Sequence, residues 1–478
     1  MYHRGMNETW TPSIFDHDGS TLHQRLVNAV RAGIVSGELE PEERMPTHRD
    51  LASRLGIGVG TVTRAYAEAE RLGLLTSAVG RGTFVAASVR SIQPGTASGD
   101  PIATGPIDLS LNLQNLAFAA PRIGEALARL RLRPDLAETL GVAPHAGFPV
   151  HRQALANWFR EVSQIDSIDW RRMLLTTGTQ QAMSLIVGEL MRPGDIVLTE
   201  PATFSGFRAL ADARGGRCVG VAMDDEGVRP DALERAIRET GSRLLYLIPT
   251  LQNPTTRTMS RARREDIARI ARAYDLLVIE DDVYGPLASV AEGRRPEIPP
   301  LATFAPERTF YVSSASKAIA MGLRVGILHA PDDAWFTRLE QAVRVACYAT
   351  STLAPMLVCQ LIADGAADEI RRAVAQEATT RMALARRMLG TAIADPSFAS
   401  SLHAWMPMPE LQAERVLNGA LRRGVVLTPP SSFIVDGSLE SGLRLCLNAV
   451  DRPDLERALR GVRSALADEI VPSRMAIV

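Results

Sequence analysis

Apolar positions follow two different rhythms along this chain, and the changeover lies near residue 107. In the N-terminal part the rhythm is helical: Leu22, Leu26, Val30 and Ile34 recur at helical spacing and predict one amphipathic helix over 22–35, closed by Gly37. Pro41 and Pro46 hold ELEPEERMP in a turn, and Thr47 with Asp50 forms a capping pair that starts a short helix running to about Leu55. After the tight turn Gly56-Ile57-Gly58, a third helix is predicted from about Val59 to Leu72. Val62, Tyr66 and Ala69 lie on its inner face, and Thr61, Thr63, Arg64, Glu68 and Arg71 on its outer face. Leu74–Thr76 and Thr83–Val85 read as the strands of a hairpin around Gly80-Arg81-Gly82. Residues 87–106 are rich in Ser, Gly, Pro, Thr and Ala and predict a linker. Beyond it, buried-type runs such as MLLTTG, DIVLTE, RLLYLIP, LLVIEDD and TFYVSS alternate with helical patterns, which predicts an α/β domain around a central, mostly parallel sheet. From about Ala346 long helices and the strand-like LRLCLN suggest a smaller α+β subdomain. The expected division is a polar arm over 1–18, a small helical domain over 19–86, the linker, and a large domain over 107–478.

Composition narrows this picture. A chain of 478 residues exceeds what one core normally organises, and 46% hydrophobic with 22% charged residues is ordinary globular composition. The N-terminus has no apolar leader, and no stretch approaches the roughly 20 apolar residues that span a bilayer, so a cytoplasmic location without membrane attachment is expected. Cys218, Cys347, Cys359 and Cys446 lie far apart without a CxxC spacing, against both a zinc site and a disulfide framework. A net charge of −1 carries no global nucleic-acid signal, so any such case rests on local geometry.

Three helices and a hairpin in this order make a winged helix-turn-helix, which presents its recognition helix to the major groove of duplex DNA. Candidate DNA contacts are Arg49, Thr61, Thr63 and Arg64 on the helices, with Arg81 and Gly82 in the wing. The stretch through PTHRDLASRLGI, TVTRAYAEAERLGLL and VGRGTFV resembles the winged helix of the GntR regulator family. Val59 and Gly60 depart from it, standing where many members present polar or basic base-reading residues.

Of the 53 basic residues only Lys317 is a lysine. A Schiff base needs an amine that can lose its proton, which a guanidinium does not do. Around this amine lie the groups that pyridoxal 5′-phosphate (PLP) requires: an acid for the pyridine nitrogen, a phosphate cradle and a flat partner for the ring. Ser314 and Ser316 precede Lys317, and Arg324 follows in GLRVG, suited to a phosphate dianion. Asp281 ends the strand LLVIED, where open α/β sheets bind ligands. TGTQQ joins a strand to a helix whose first N–H groups can meet the phosphate. Phe204 can stack on the ring and Asn253 can donate to its phenolic oxygen. The ordered set resembles fold-type I PLP enzymes of the class I/II aminotransferase group over the large domain. That resemblance implies Lys317 as the Schiff-base lysine and Asp281 as the pyridine-nitrogen acid. It pairs Asn253 and Tyr284 on the phenolic oxygen, stacks Phe204, and gives Thr179, Gln180, Ser314, Ser316 and Arg324 to the phosphate. It further implies that Arg444, in GLRLCLN, holds a substrate α-carboxylate. Val142 departs from the pattern, standing where many relatives have a tyrosine that reaches the phosphate of the neighbouring subunit.

The order winged helix, linker, aminotransferase-like domain resembles the MocR subfamily of GntR regulators. The resemblance implies a homodimeric transcriptional regulator whose large domain senses an amino compound, or PLP itself, at Lys317. Two alternatives are a working aminotransferase with a DNA-binding head and a PLP-independent scaffold.

Overall fold

The computed structural model describes residues 10–12, 22–36, 38–39, 43–71, 74–78, 82–85, 106–290, 298–437 and 439–470. The chain divides into two compact units, Met1–Thr104 and Gly105–Val478.

The first unit contains α1 (Leu22–Ser36), α2 (His48–Leu55), α3 (Val59–Arg71), β1 (Leu75–Ala78) and β2 (Gly82–Val85). The capping pair forms as its sequence dictates: Thr47 Oγ1 accepts the Asp50 amide at 3.2 Å, and Gly56 closes α2 in the left-handed conformation at φ 64°. Leu26, Val30, Leu51, Leu55, Val62, Tyr66 and Ala69 form one core with Val85 from the hairpin. The Tyr66 hydroxyl is buried in it and donates to the Pro46 carbonyl at 3.0 Å, which joins α3 to the turn before α2. β1 and β2 pair antiparallel with Ala78 opposite Gly82. Arg81 lies outside the described residues.

The second unit begins with a short strand, β3 (Ile107–Asp108), and is built on a seven-stranded sheet. Its strands are β4 (Met173–Thr176), β5 (Ile196–Thr199), β6 (Arg217–Gly220), β7 (Leu244–Leu247), β8 (Leu277–Asp281), β9 (Thr309–Ser314) and β10 (Gly326–His329), in the order β4-β10-β9-β8-β7-β5-β6. All run parallel except β10, which is antiparallel to both neighbours. The chain from Ser314 to Gly326 carries Lys317 and is too short for the crossover helix that a parallel return needs. The mostly parallel sheet expected from the apolar runs therefore contains one reversed strand beside the lysine.

A smaller layer follows. β11 (His403–Pro407) pairs antiparallel with β13 (Gly442–Cys446), while β12 (Val425–Val426) pairs parallel with β3. Leu109 joins the core of this subdomain with Leu443, Leu445 and Leu459. The first described residues of the second unit thus pack with elements from its C-terminal part. Among the described residues no helix is long and apolar enough to cross a membrane.

Candidate cofactor and effector site

Lys317 sits in the loop after β9, and its amine donates to the main-chain carbonyl of Asn112. Burial lowers its pKa to about 8, with Arg444 and Arg324 pushing the same way and Cys446 and Asp281 opposing. A lysine so placed supplies neutral amine near neutral pH. Below pH 8, the rate at which apoprotein turns yellow on mixing with PLP is expected to rise about tenfold per pH unit and then level off, as stopped-flow absorbance will record. An ordinary lysine rate would still climb two units higher, near about 10.

Asp281 ends β8, deep under the site. Its Oδ2 accepts the Tyr246 hydroxyl at 3.0 Å, whereas Oδ1 is buried with no partner. Burial raises the carboxyl to about 7, the neighbouring Asp282 adds to this, and the Tyr246 hydrogen bond, the nearby Val283 amide and Lys317 oppose it. A buried acceptor left open costs free energy unless something donates to it. A pyridinium N–H is such a donor. Asp282 belongs to a different set: its Oδ2 accepts from Tyr311 Oη at 2.8 Å.

The phosphate candidates converge where β4 meets the helix α4 (Thr179–Leu190). Gly178 precedes that helix at φ 77°, and a Cβ there would lie 2.5 Å from Arg324 Nη2. The positive φ favours glycine here, and its missing side chain leaves room for the guanidinium. Arg324 itself is left-handed at φ 53° and donates to the Thr177 carbonyl at 3.2 Å. Thr179 opens α4, Gln180 Nε2 donates to Gly206 O at 2.9 Å, Ser314 Oγ accepts from the Ser316 amide at 3.3 Å, and Ser316 Oγ is buried without a partner. Phe204 directly precedes the helix α5 (Ser205–Ala213) and is half-buried. An open helix N-terminus, an unpaired hydroxyl and a guanidinium fit a phosphate dianion.

Arg444 lies on β13, 7% exposed. Its Nη1 donates to Asn253 Oδ1 at 2.9 Å, its Nη2 donates to Ser110 O at 2.7 Å and to Thr428 Oγ1 at 3.3 Å, and the guanidinium lies 4.6 Å from the Phe433 ring centre. Nε has no partner, and none of these acceptors is a carboxylate. Tyr284 Oη accepts from Asn112 Nδ2 at 2.8 Å. Ser110, Asn112, Tyr246 and His403 were not singled out from sequence. Two of them act through main-chain oxygens, which leave no signature in residue type.

In the first unit Arg49, Thr63 and Arg64 are exposed and Thr61 is half-buried. Thr63 Oγ1 donates to Val59 O at 3.0 Å and meets His48 Nδ1 at 3.3 Å, and Arg64 Nε donates to Gly60 O at 3.3 Å. Gly82 has φ 112°, with Arg44 packed where a Cβ would stand.

The family model for aminotransferase class I and II matches residues 107–462. The chain belongs to the class I and II aminotransferase family. The model for bacterial regulatory proteins of the gntR family matches residues 22–85. The chain is 26% identical to the HTH-type transcriptional regulator YisV of Bacillus subtilis, over 94% of this chain and 96% of that one. It is 30% identical to the 2-aminoadipate transaminase of Thermus thermophilus, over 73% and 87% respectively. The alpha-aminoadipate aminotransferase LysN from Thermus thermophilus, solved with N-(5′-phosphopyridoxyl)-L-leucine, superposes with a TM-score of 0.67 at 28% identity, covering 77% of this chain and 93% of that chain. This class I and II family member is therefore a GntR-type transcriptional regulator fused to a PLP-dependent, aminotransferase-like domain. Lys317, the unpartnered Asp281 oxygen and the Gly178–Arg324 cradle fit that cofactor.

Proposed function

We propose that this regulator senses an amino compound carrying a carboxylate, at PLP held by Lys317, and answers by changing how a homodimer grips its operator in the cytoplasm. Bound there, PLP supplies an electrophilic carbon for amines. Asp281 would keep the pyridine nitrogen protonated, Tyr284 and Asn253 would hold the phenolic oxygen, Phe204 would supply the flat partner for the ring, and Thr179, Gln180, Ser314, Ser316 and Arg324 would hold the phosphate. The observation that carries the reading is Arg444, a buried guanidinium with only neutral partners and an orphaned Nε. A buried cation in that state is completed by a carboxylate ligand. Arg444→Ala is expected to raise the effector concentration needed for half-maximal change in DNA binding by about tenfold to a hundredfold, the worth of a charge-assisted hydrogen bond. An unchanged titration would refute the carboxylate role.

The ligand alters operator affinity only through unequal affinity for two arrangements of the DNA-binding heads. Arg49, Thr61, Thr63 and Arg64, with Arg81 and Gly82 in the wing, are the proposed DNA contacts. Arg49→Ala and Arg64→Ala are each expected to weaken the shift of DNA bearing the protein's own promoter by about tenfold. Exposed apolar side chains at Phe118, Leu132, Val142 and Val345 support burial against a second copy, which light scattering tests by mass. The second reading, a working transaminase, is supported by the full set of chemical groups. Sustained multi-turnover conversion of an amino acid with a keto-acid acceptor separates it from a sensor.

A further inference from the structure

A chain of hydrogen bonds outside the expected constellation reaches Tyr284. His403 starts β11 and is fully buried. Its Nε2 lies 3.4 Å from the carbonyl of Gln252, its Nδ1 lies 3.2 Å from Asn112 Nδ2, and the same Nδ2 lies 2.8 Å from Tyr284 Oη. The direction of every proton in this chain follows from which atoms have a choice. A carbonyl oxygen only accepts, so His403 Nε2 carries the hydrogen. Burial, with Arg444 and Lys317 nearby, lowers the imidazole pKa to about 3, so the ring is neutral and Nδ1 is bare. A bare Nδ1 requires a donor, which fixes the Asn112 carboxamide with its NH2 toward His403 and Tyr284. The opposite flip would set two acceptors face to face. Both amide hydrogens are then committed, one to Nδ1 and one to Tyr284 Oη, and Asn112 Oδ1 is left without a partner.

From this geometry we infer that Asn112, locked by His403, is a positioning residue that turns the Tyr284 hydroxyl proton outward, toward the phenolic oxygen of bound PLP. Oη already accepts from Asn112, so its own hydrogen is free for another acceptor. Lys317 is tied to the same residue, since its amine donates to the Asn112 carbonyl. This inference rests on Tyr284 meeting the cofactor as proposed above. A Tyr284 hydroxyl held in that direction would stabilise negative charge on the phenolic oxygen, and so would lower the pH at which the loaded protein changes protonation state. The relay thereby sets the pH at which the yellow form fades. Asp281, Arg444, Arg324, Cys446 and His403 also face this region, and all are retained in the variants.

The test is a two-by-two cycle on purified, PLP-loaded full chain, reading the midpoint pH of the yellow-to-colourless transition. Asn112→Leu removes the donor without adding charge, and is expected to move the midpoint upward by about one unit, a tenfold change in the proton equilibrium. Tyr284→Phe moves it upward by at least as much. In the Tyr284→Phe background Asn112→Leu adds nothing, because its path is already cut. Equal shifts in both backgrounds, or no shift from Asn112→Leu alone, would overturn the relay. Should Asn112→Leu fail to take up cofactor, Asn112→Ala, which also lacks a side-chain donor, enters the same cycle with the same criteria. A wild-type protein that never turns yellow refutes the cofactor assignment at Lys317 instead, so the two failures are distinguishable.

Discussion

Lys317→Ala leaves the protein folded but without a covalent cofactor: borohydride reduction of PLP-treated material followed by peptide mapping finds no pyridoxyl adduct on the peptide spanning Ser316 and position 317, where the wild type carries it. The effect is all-or-none because no other lysine exists in the chain to substitute. Lys317→Arg is the sharper variant. It keeps the positive charge opposite Asp281 and Asn112 yet fails equally, since a guanidinium does not lose the proton that the chemistry requires. Folding survives the alanine change because burial disfavours the ammonium and lowers its pKa, so removing it relieves a desolvation cost. Residual PLP binding remains through the phosphate cradle and Asp281, visible as saturable but non-covalent uptake. An adduct retained in either variant would remove the covalent anchor from the sensor account, whatever became of DNA binding.

The parts of this site that were legible in sequence are those where one residue type is chemically obligatory. A lone amine beside two serines, an acid closing an apolar strand, and a Gly-Thr pair opening a helix are each tied to local sequence. Strand β8 ends at Asp281 and β9 at Ser314, so their register follows from their own apolar runs. What was illegible depends on distant segments meeting. β3 pairs with β12 across most of the second unit, and that pairing brings the Ser110 and Asn112 carbonyls to Arg444 and Lys317. Asn253, expected to donate to the phenolic oxygen, also accepts from Arg444 through Oδ1, and this leaves its NH2 for the expected role. The reversed strand β10 was legible in principle, because the loop holding Lys317 is short. The apolar content of GILH does not distinguish the two directions. In the first unit the cap at Thr47 and the glycine at 56 fixed α2 locally, and its limits match the sequence reading to a residue.

Arg264→Ala is expected to lower folding stability by about 3–5 kcal/mol, the usual consequence of breaking a buried ion pair by removing one partner. Arg264 is completely buried, with Glu280 equally buried and 3.7 Å away. The guanidinium donates to the carbonyls of Met259, Pro249 and Pro299 and to Thr250 Oγ1, at 2.9–3.3 Å. It thereby joins the loop leading to Asn253 to the strand ending in Asp281. Glu280 accepts the amides of Leu301 and Ala302, both at 2.7 Å. Burial still drives the Glu280 carboxyl above the ordinary range, and Arg264 is the largest influence holding it down. Its folded pKa therefore exceeds the unfolded value of about 4.3, so its contribution is fully present below that value and is lost as pH rises through the folded pKa. Without Arg264 the folded pKa climbs further and the penalty extends to higher pH. The stability lost in Arg264→Ala is accordingly larger near pH 8 than near pH 5, where Glu280 can bind a proton and bury itself neutral. Urea unfolding of wild type and variant at both pH values measures this, and Arg264→Met with Glu280→Gln is expected to regain part of the loss by removing both charges. A loss below about 1 kcal/mol, or one identical at the two pH values, would mean that this pair does not brace the floor of the site.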